Sequence, residues 1–357
     1  MNPGMELPPR SSSRKPMPER PSKKKFRWGR FFLYLFLLAV LAAAAFAGYV
    51  YMKLDGAIGK IGEPGTGAGT ISNADAKPVP AAESVKVKPV TILLMGLDTR
   101  KKTGSLNTDV MMVASFNPDT EKAVVVSIPR DTAIELEGYK RNKINQYYAN
   151  FNQHGRSDKG MSADEARRYA RDQMKEMMGL YFGVPVDYAA IINFQGFIDV
   201  VDALGGVDVY VDMDMRYTDH AGEEGGTDIN LKKGHQHLDG DQALDFVRYR
   251  KSNDGRNMSS DLERNQRQSQ VLGELADKLK SLSGIAKVGH VIDAVGNNMT
   301  MDMPESEIKN MITTYYRIGK DNITFVPVEG EWRSPYVIPS DESLARAREA
   351  LKANTSG

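Results

Sequence analysis

Arginines gather in two short stretches of this chain: Arg248-Tyr249-Arg250, and Asp261-Leu262-Glu263-Arg264-Asn265-Gln266-Arg267-Gln268 at the start of an apparent helix. Arg248 and Arg250 are two apart, so both point the same way if the backbone there is extended. Arg264 and Gln268 are four apart and share one helix face, with Asp261 one turn earlier. A helix start also offers unpaired N–H groups and the positive end of the helix dipole. Such a cluster can grip a multiply charged anion. Upstream, Asp98 and Asp109 sit at the ends of two strand-like runs, and Arg130 closes a third, after Ser127-Ile128-Pro129. Ligands of α/β sheets tend to sit at strand ends. Two carboxylates and several guanidiniums can therefore converge, which is the composition of a magnesium and pyrophosphate site.

Each of these residues also has a plainer reading. Asp98 and Asp109 suit turns or caps, Arg130 suits a surface ion pair with Asp131, and the helix-start arginines suit a solvated face with Asp261 complementing the dipole. His235 and His237 have no third ligand at suitable spacing and read as loop histidines. With no G-x-S-x-G and no phosphate-loop motif, nucleophilic-serine and P-loop chemistry are poor candidates.

The elements that must position these groups follow from hydrophobic patterning. Residues 90–97, 110–116 and 123–128 are short apolar runs of buried-strand type, and Asn117-Pro118-Asp119 reads as the hairpin turn between the second and third. Residues 162–178 form a helix with Ser162 and Glu165 at capping-box spacing. A strand at 188–194, a helix at 197–204 stopped by Gly205-Gly206 and a strand at 207–211 come next. Helices at 241–247, 261–282 and 305–316 and a strand at 323–328 follow, with Ser260 and Glu263 repeating the capping-box spacing. The stretch after Leu351 is expected to fray. Such alternation predicts an α/β layered domain.

The rest of the chain bounds where this domain works. Residues 1–30 form a basic, Pro- and Ser-rich tail with nine Lys or Arg against Glu6 and Glu19. Residues 31–52 are an uncharged run of 22, long enough to cross a hydrocarbon core of roughly 30 Å at 1.5 Å per residue. The basic flank places the N-terminus in the cytoplasm and everything after the span outside. Ala45-Phe46-Ala47 has a signal-cleavage pattern, but the apolar run exceeds the usual length of a signal core, which favours a retained anchor. Residues 53–86 read as a flexible linker, 87–330 as the folded domain and 331–357 as a C-terminal extension. Cysteine is absent, so the exported domain is held by its core and not by disulfides. Removing the tail's charges from the 47 basic and 46 acidic residues of the chain leaves a net of −6, the wrong sign for a nucleic-acid binder.

Taken in order, Leu94-Met95-Gly96-Leu97-Asp98-Thr99-Arg100, Asn107-Thr108-Asp109, Ser127-Ile128-Pro129-Arg130-Asp131-Thr132, Lys143-Ile144-Asn145, Leu238-Asp239-Gly240, Ala243-Leu244, Arg248-Tyr249-Arg250 and Arg264 to Gln268 resemble the LytR-CpsA-Psr family of membrane-anchored phosphotransferases. The resemblance implies an α-β-α sandwich with a central mixed sheet and an apolar tunnel for a lipid chain. It implies transfer of a glycopolymer, such as teichoic acid, from polyprenyl pyrophosphate to a peptidoglycan hydroxyl at the outer face of the cell membrane. Matching positions imply Asp98 and Asp109 for Mg2+, and Arg100, Arg130, Arg248, Arg250, Arg264 and Gln268 around the pyrophosphate, with Arg130 and Asp261 in catalysis. Two departures stand out: Asn107 replaces an arginine common in the family, and the loop over residues 251–260 is longer than usual, so either Asp254 or Asp261 could accept the hydroxyl's proton. Hydrolysis of the same lipid-linked substrate, or its non-catalytic capture, is compatible with the same residues.

Overall fold

The computed structural model describes residues 78–97, 106–219, 227–281, 291, 294–295 and 298–356. The basic tail, the apolar run 31–52 and most of the linker lie outside them, and no helix among the described residues is long and apolar enough to cross a membrane.

The chain first lays down β1 (Val90–Leu97), β2 (Thr108–Asn117) and β3 (Lys122–Ser127), joined antiparallel, and these are nearly continuous buried apolar runs because both faces of the sheet are covered. The β2–β3 turn closes through Asn117, whose Oδ1 accepts from the backbone N–H groups of Asp119 and Thr120. After the small pair β4 (Ala133–Ile134) and β5 (Asn142–Lys143), α1 (Ile144–Ser157) leads to α2 (Ala163–Phe182). The expected Ser162–Glu165 capping box starts α2, and Gly183 ends it in the left-handed conformation, φ 70°. Then come β6 (Tyr188–Asn193), α3 (Phe194–Leu204), β7 (Val207–Val211), the hairpin β8 (Met215–Asp219) and β9 (Thr227–Leu231), and β10 (Gly234–Leu238). Helices α4 (Gly240–Arg248) and α5 (Asp261–Lys280) precede β11 (Met299–Met301), α6 (Glu305–Tyr315), β12 (Ile323–Pro327), the hairpin β13 (Gly330–Arg333) and β14 (Tyr336–Pro339), and α7 (Asp341–Thr355).

The central sheet is mixed and six-stranded, in the order β11-β6-β1-β2-β3-β12, with β6 and β12 parallel to their inner neighbours. Strand alternation sorts its side chains onto two faces. Leu93, Met95, Met111, Val113 and Val126 meet Tyr148 of α1, Met174 and Met177 of α2 and Leu351 of α7. On the other face, Ile92 and Ala190 meet Met303 and Ile308 beside α6, and further along the sheet the face looks toward α3, α4 and α5. The sequence-stretch 331–357 is thus part of the domain core and not an appendage. Leu351 is fully buried, and beyond it the helix continues to Thr355, pinned by Asn354 Nδ2 donating to Ser115 Oγ at 2.9 Å.

Truncating Leu351 to Ala empties a fully buried site and is expected to destabilise the domain by about 2–4 kcal/mol. An unfolding midpoint in urea indistinguishable from that of the parent protein would show α7 to be dispensable.

Candidate active site

The site grows from the ends of the central strands. The β1–β2 register shifts between Gly96 and Leu97, and Leu97 pairs with Thr108, so a bulge delivers the end of β1 beside Asp109. Gly96 eases the close approach of the strands there: a Cβ would lie 3.0 Å from Val110 Cβ. At the end of β3, Pro129 breaks the ladder and the following turn is closed by Thr132 N–H donating to Pro129 O at 3.0 Å. Arg130 is thereby presented at the strand mouth. Its Nη1 donates to Asp109 Oδ1 at 2.7 Å, and its buried Nε, with no hydrogen-bond partner among the described residues, stands 3.5 Å from Asp131 Oδ2. Asp131 in turn takes Lys143 Nζ at 2.8 Å. Burial would raise the Asp131 carboxyl, but the Lys143 hydrogen bond and the charges of Arg130, Lys143 and Arg250 outweigh it and hold the group below the usual carboxylate range.

The second half of the site is carried by α4, α5 and the loop between them. The Ser260–Glu263 capping box expected from sequence forms, with Ser260 N–H donating to Glu263 Oε2 at 2.7 Å and Glu263 N–H to Ser260 Oγ at 3.2 Å. It fixes the turn from which Arg264 and Gln268 project. Arg267, one turn on from Arg264, is buried and makes a bidentate pair with Asp212, both contacts 2.7 Å, and donates to Ser259 Oγ at 2.8 Å. Ser259 N–H reaches back to Arg250 O, so the arginine pair with Asp212 also holds the loop that carries Arg250. Arg248 is the last residue of α4 and not part of an extended segment: the chain leaves the helix only at Tyr249, where ψ is 134°. The guanidinium of Arg248 lies over the Phe194 ring, 4.2 Å from its centroid.

These groups share one cavity of 540 Å³, bounded by the sheet, α3, α4, α5 and the β8–β9 hairpin. Asp109, Arg130, Arg248, Arg250, Arg264 and Gln268 all line it, as the sequence reading requires. Its remaining wall is largely apolar, with Leu94, Met112, Ile192, Phe197, Val271 and Leu272 among the contributors. Arg264 is pushed down to about 10 by burial first, then by the charges of Arg250 and Arg130. Arg250, at the solvent-open rim, is likewise lowered, by desolvation and then by Arg130. Both remain protonated at neutral pH. The mouth is therefore a cluster of mutually repelling cations at one end of an apolar chamber, an arrangement that binds an anionic head with a hydrophobic tail.

Several expected residues fall elsewhere. Asp98 and Arg100 lie outside the described residues, as does the side chain of Asp261, whose backbone opens α5. Asp254 is exposed and takes its own loop's Arg256 N–H at 2.9 Å, away from the cavity wall. His235 and His237 sit on a strand, β10, and not in a loop; His237 Nδ1 pairs with Asp208 at 2.8 Å and the His235 ring meets Tyr210. Among the described residues no three His, Asp or Glu side chains form a metal-binding group. Of the two carboxylates expected to hold Mg2+, Asp109 alone lies among the described residues, and one of its oxygens is engaged by Arg130. Sequence reasoning missed the Arg267–Asp212 brace, since residues 55 apart carry no local signal of pairing, and it missed Asp245 on the cavity wall.

Comparison with known proteins agrees with the blocks noted above. The model of the LytR_cpsA_psr family matches residues 66–353. The chain is 33% identical over 267 residues to the polyisoprenyl-teichoic acid–peptidoglycan teichoic acid transferase TagU of Oceanobacillus iheyensis, across 73% of this chain and 75% of that protein. It is 27% identical over 330 residues to the transferase of the same description, TagV, from Bacillus subtilis, across 90% and 77% of the two chains. The crystal structure of B. subtilis TagV superposes with a TM-score of 0.58 at 27% identity, covering 75% of this chain and 97% of that one.

Asp245 supplies a pH test of the chamber. Burial raises its carboxyl to about 6; Arg248 opposes the shift, while Asp241, Asp228 and Asp239 add to it. A carboxyl raised in the fold imposes no penalty below its unfolded value of 3.8, and the penalty grows as pH climbs to about 6 and is complete above that. Asp245→Asn is therefore expected to stabilise the protein by on the order of 1–2 kcal/mol near pH 7.5 and by nothing below about pH 4. A stability difference that is flat across this range in thermal melts would contradict the burial of the group.

Proposed function

The chain belongs to the LytR-CpsA-Psr family, and from that membership we propose that it is a phosphotransferase moving a glycopolymer of the teichoic-acid kind from a polyprenyl pyrophosphate carrier to a hydroxyl of peptidoglycan. The observation that carries this reading is the convergence of Arg130, Arg248, Arg250 and Arg264 at the mouth of one apolar cavity. An isoprenoid tail gains roughly 0.8 kcal/mol for each CH2 it takes out of water, so the chamber retains the lipid while the arginines seat the diphosphate.

Chemistry then needs little more than positioning and charge. The acceptor hydroxyl attacks the phosphorus that bears the glycan, the P–O bond to the lipid phosphate breaks, the hydroxyl proton is lost to a base, and polyprenyl phosphate departs. Negative charge grows on the bridging and leaving oxygens, and preorganised guanidiniums stabilise it without having to reorganise. Arg130, oriented by Asp109 on one side and Asp131 on the other, is the group best held for that role. Asp261, at the start of α5, is the base on this reading. Mg2+, held by Asp109 with Asp98, would neutralise the diphosphate and polarise its oxygens. Residues 31–52 would anchor the enzyme in the bilayer that carries its substrate, N-terminus in the cytoplasm and domain outside, which suits a lipid-borne donor.

Full-length protein in detergent, supplied with a lipid-pyrophosphate glycan, Mg2+ and a peptidoglycan oligomer, is expected to form the conjugate and release lipid phosphate. Arg130→Ala should lower the rate by about 100-fold or more while leaving the melting curve near that of the parent. Near-normal turnover in that variant would overturn the assignment. Release of lipid phosphate with no conjugate would identify a hydrolase instead.

A further inference from the structure

Beside the charged mouth, on the side away from the chamber, the β13–β14 hairpin carries aromatic residues for which the core has no use. It is stitched to the Arg130 turn by a parallel bridge between Thr132 and Val337 and by Val337 N–H donating to Asp131 O at 2.9 Å. Trp332 pairs across the hairpin with Val337, yet is 56% exposed, an unusual state for the largest apolar side chain. Lys143 Nζ lies 5.8 Å from the centroid of the Trp332 ring and 2.8 Å from Asp131, which in turn stands 3.5 Å from Arg130. The Arg141 guanidinium covers the Tyr336 ring at 4.6 Å. A continuous strip of aromatic rings and fixed polar groups therefore runs from Trp332 to the group proposed to stabilise the transition state.

Each cation along this strip has a carboxylate beside it. Lys143 takes Asp131, which it shares with Arg130, Arg141 takes Glu135 at 2.8 Å, and Arg333 takes Glu331 at 2.7 Å. A polyphosphate would find little excess positive charge there, unlike at the arginine mouth. An uncharged pyranose finds what it needs: an exposed indole for its C–H face, and paired polar groups to exchange hydrogen bonds with its hydroxyl and acetamido substituents. Resting on the phosphotransferase reading, whose acceptor subsite it specifies, we propose that Trp332 and Tyr336, framed by Arg141 and Lys143, dock the N-acetylhexosamine strand of the acceptor and aim its hydroxyl at Arg130. The donor's tail and the acceptor's glycan then reach the phosphorus from opposite sides of one side chain.

The chain has two tryptophans, Trp28 and Trp332, so full-length protein carrying Trp28→Phe reports on the strip alone. Titration with soluble, purified glycan-strand fragments of peptidoglycan is expected to shift its emission saturably. In the transfer assay, Trp332→Ala should raise the acceptor KM about tenfold with kcat and donor KM unchanged, and Trp332→Tyr should recover most of the loss; a hairpin of merely structural value would not separate the two substrates in this way. An acceptor KM unaffected by Trp332→Ala, a rise in donor KM instead, or emission indifferent to the glycan overturns the inference even where transfer is robust. A saturable emission shift in a protein that transfers nothing supports the strip and counts against the phosphotransferase reading.

Discussion

Like charges held together in a partly desolvated place are the constraint around which this domain is arranged. At an effective dielectric constant of about 20, two unit charges roughly 6 Å apart repel by about 3 kcal/mol, and Arg130, Arg250 and Arg264 each depress or are depressed by another of the set. Asp109 and Asp131 offset part of that repulsion through Arg130. The remainder has to be borne by scaffolding, and the scaffolding is visible: the Arg267–Asp212 pair, the Ser260–Glu263 box and the Pro129 turn each fix backbone that carries one arginine. A site in which cations are kept apart only by water would relax; here they cannot, and an anion seated among them would relieve the repulsion.

The chamber behind the arginines follows from the same sheet by alternation. Odd-numbered β1 residues enter a dense core with α1, α2 and α7, whereas Leu94 and Gly96 on the opposite face border open space. Methionine, glycine and alanine line that wall at Gly96, Met112 and Ala190 beside bulkier side chains, so the wall stays smooth and apolar. Such an unfilled volume lowers stability relative to a packed core. It persists because α3, α4 and α5 are tied to each other through Phe246, Val207, Leu238 and Val271 in a separate cluster, and so need not collapse onto the sheet.

Much of this was legible in the sequence, and the part that was not has a common cause. Strands with continuous apolar runs, the two Ser–Glu capping boxes, the Asn117 turn and the arginine stretches are encoded within a few residues of one another, and the structure bears them out. Helix α1 escaped because it opens at Lys143 without a side-chain cap and is rich in Asn and Tyr, which are weak helix formers, so that packing against α2 and the sheet shapes it. The hairpins β8–β9 and β13–β14 are short and half-exposed, so alternation has little length over which to declare itself. The spacing of Arg248 and Arg250 points both the same way only if the backbone there is extended, and no local signal marks where α4 stops; the structure carries the helix through Arg248. Asp212 and Asp245 gain their meaning from partners distant in sequence, which no local pattern could supply.

Arg130 sits where the two faces of the sheet can both be reached, and this position explains why a strand end and not a helix carries it. A residue within β3 would face either the packed core or the chamber, never both. Past Pro129 the chain is free of the ladder, so the guanidinium can take Asp109 from β2 on one side while its neighbour Asp131 takes Lys143 from β5 on the other. The Thr132–Val337 bridge then binds this turn to the β13–β14 hairpin, so that the segment from Gly330 through α7 and Leu351 is mechanically continuous with the charged mouth. Removing that C-terminal packing would loosen the turn as well as the core, and the segment that sequence patterning leaves as an extension therefore braces the turn that carries Arg130.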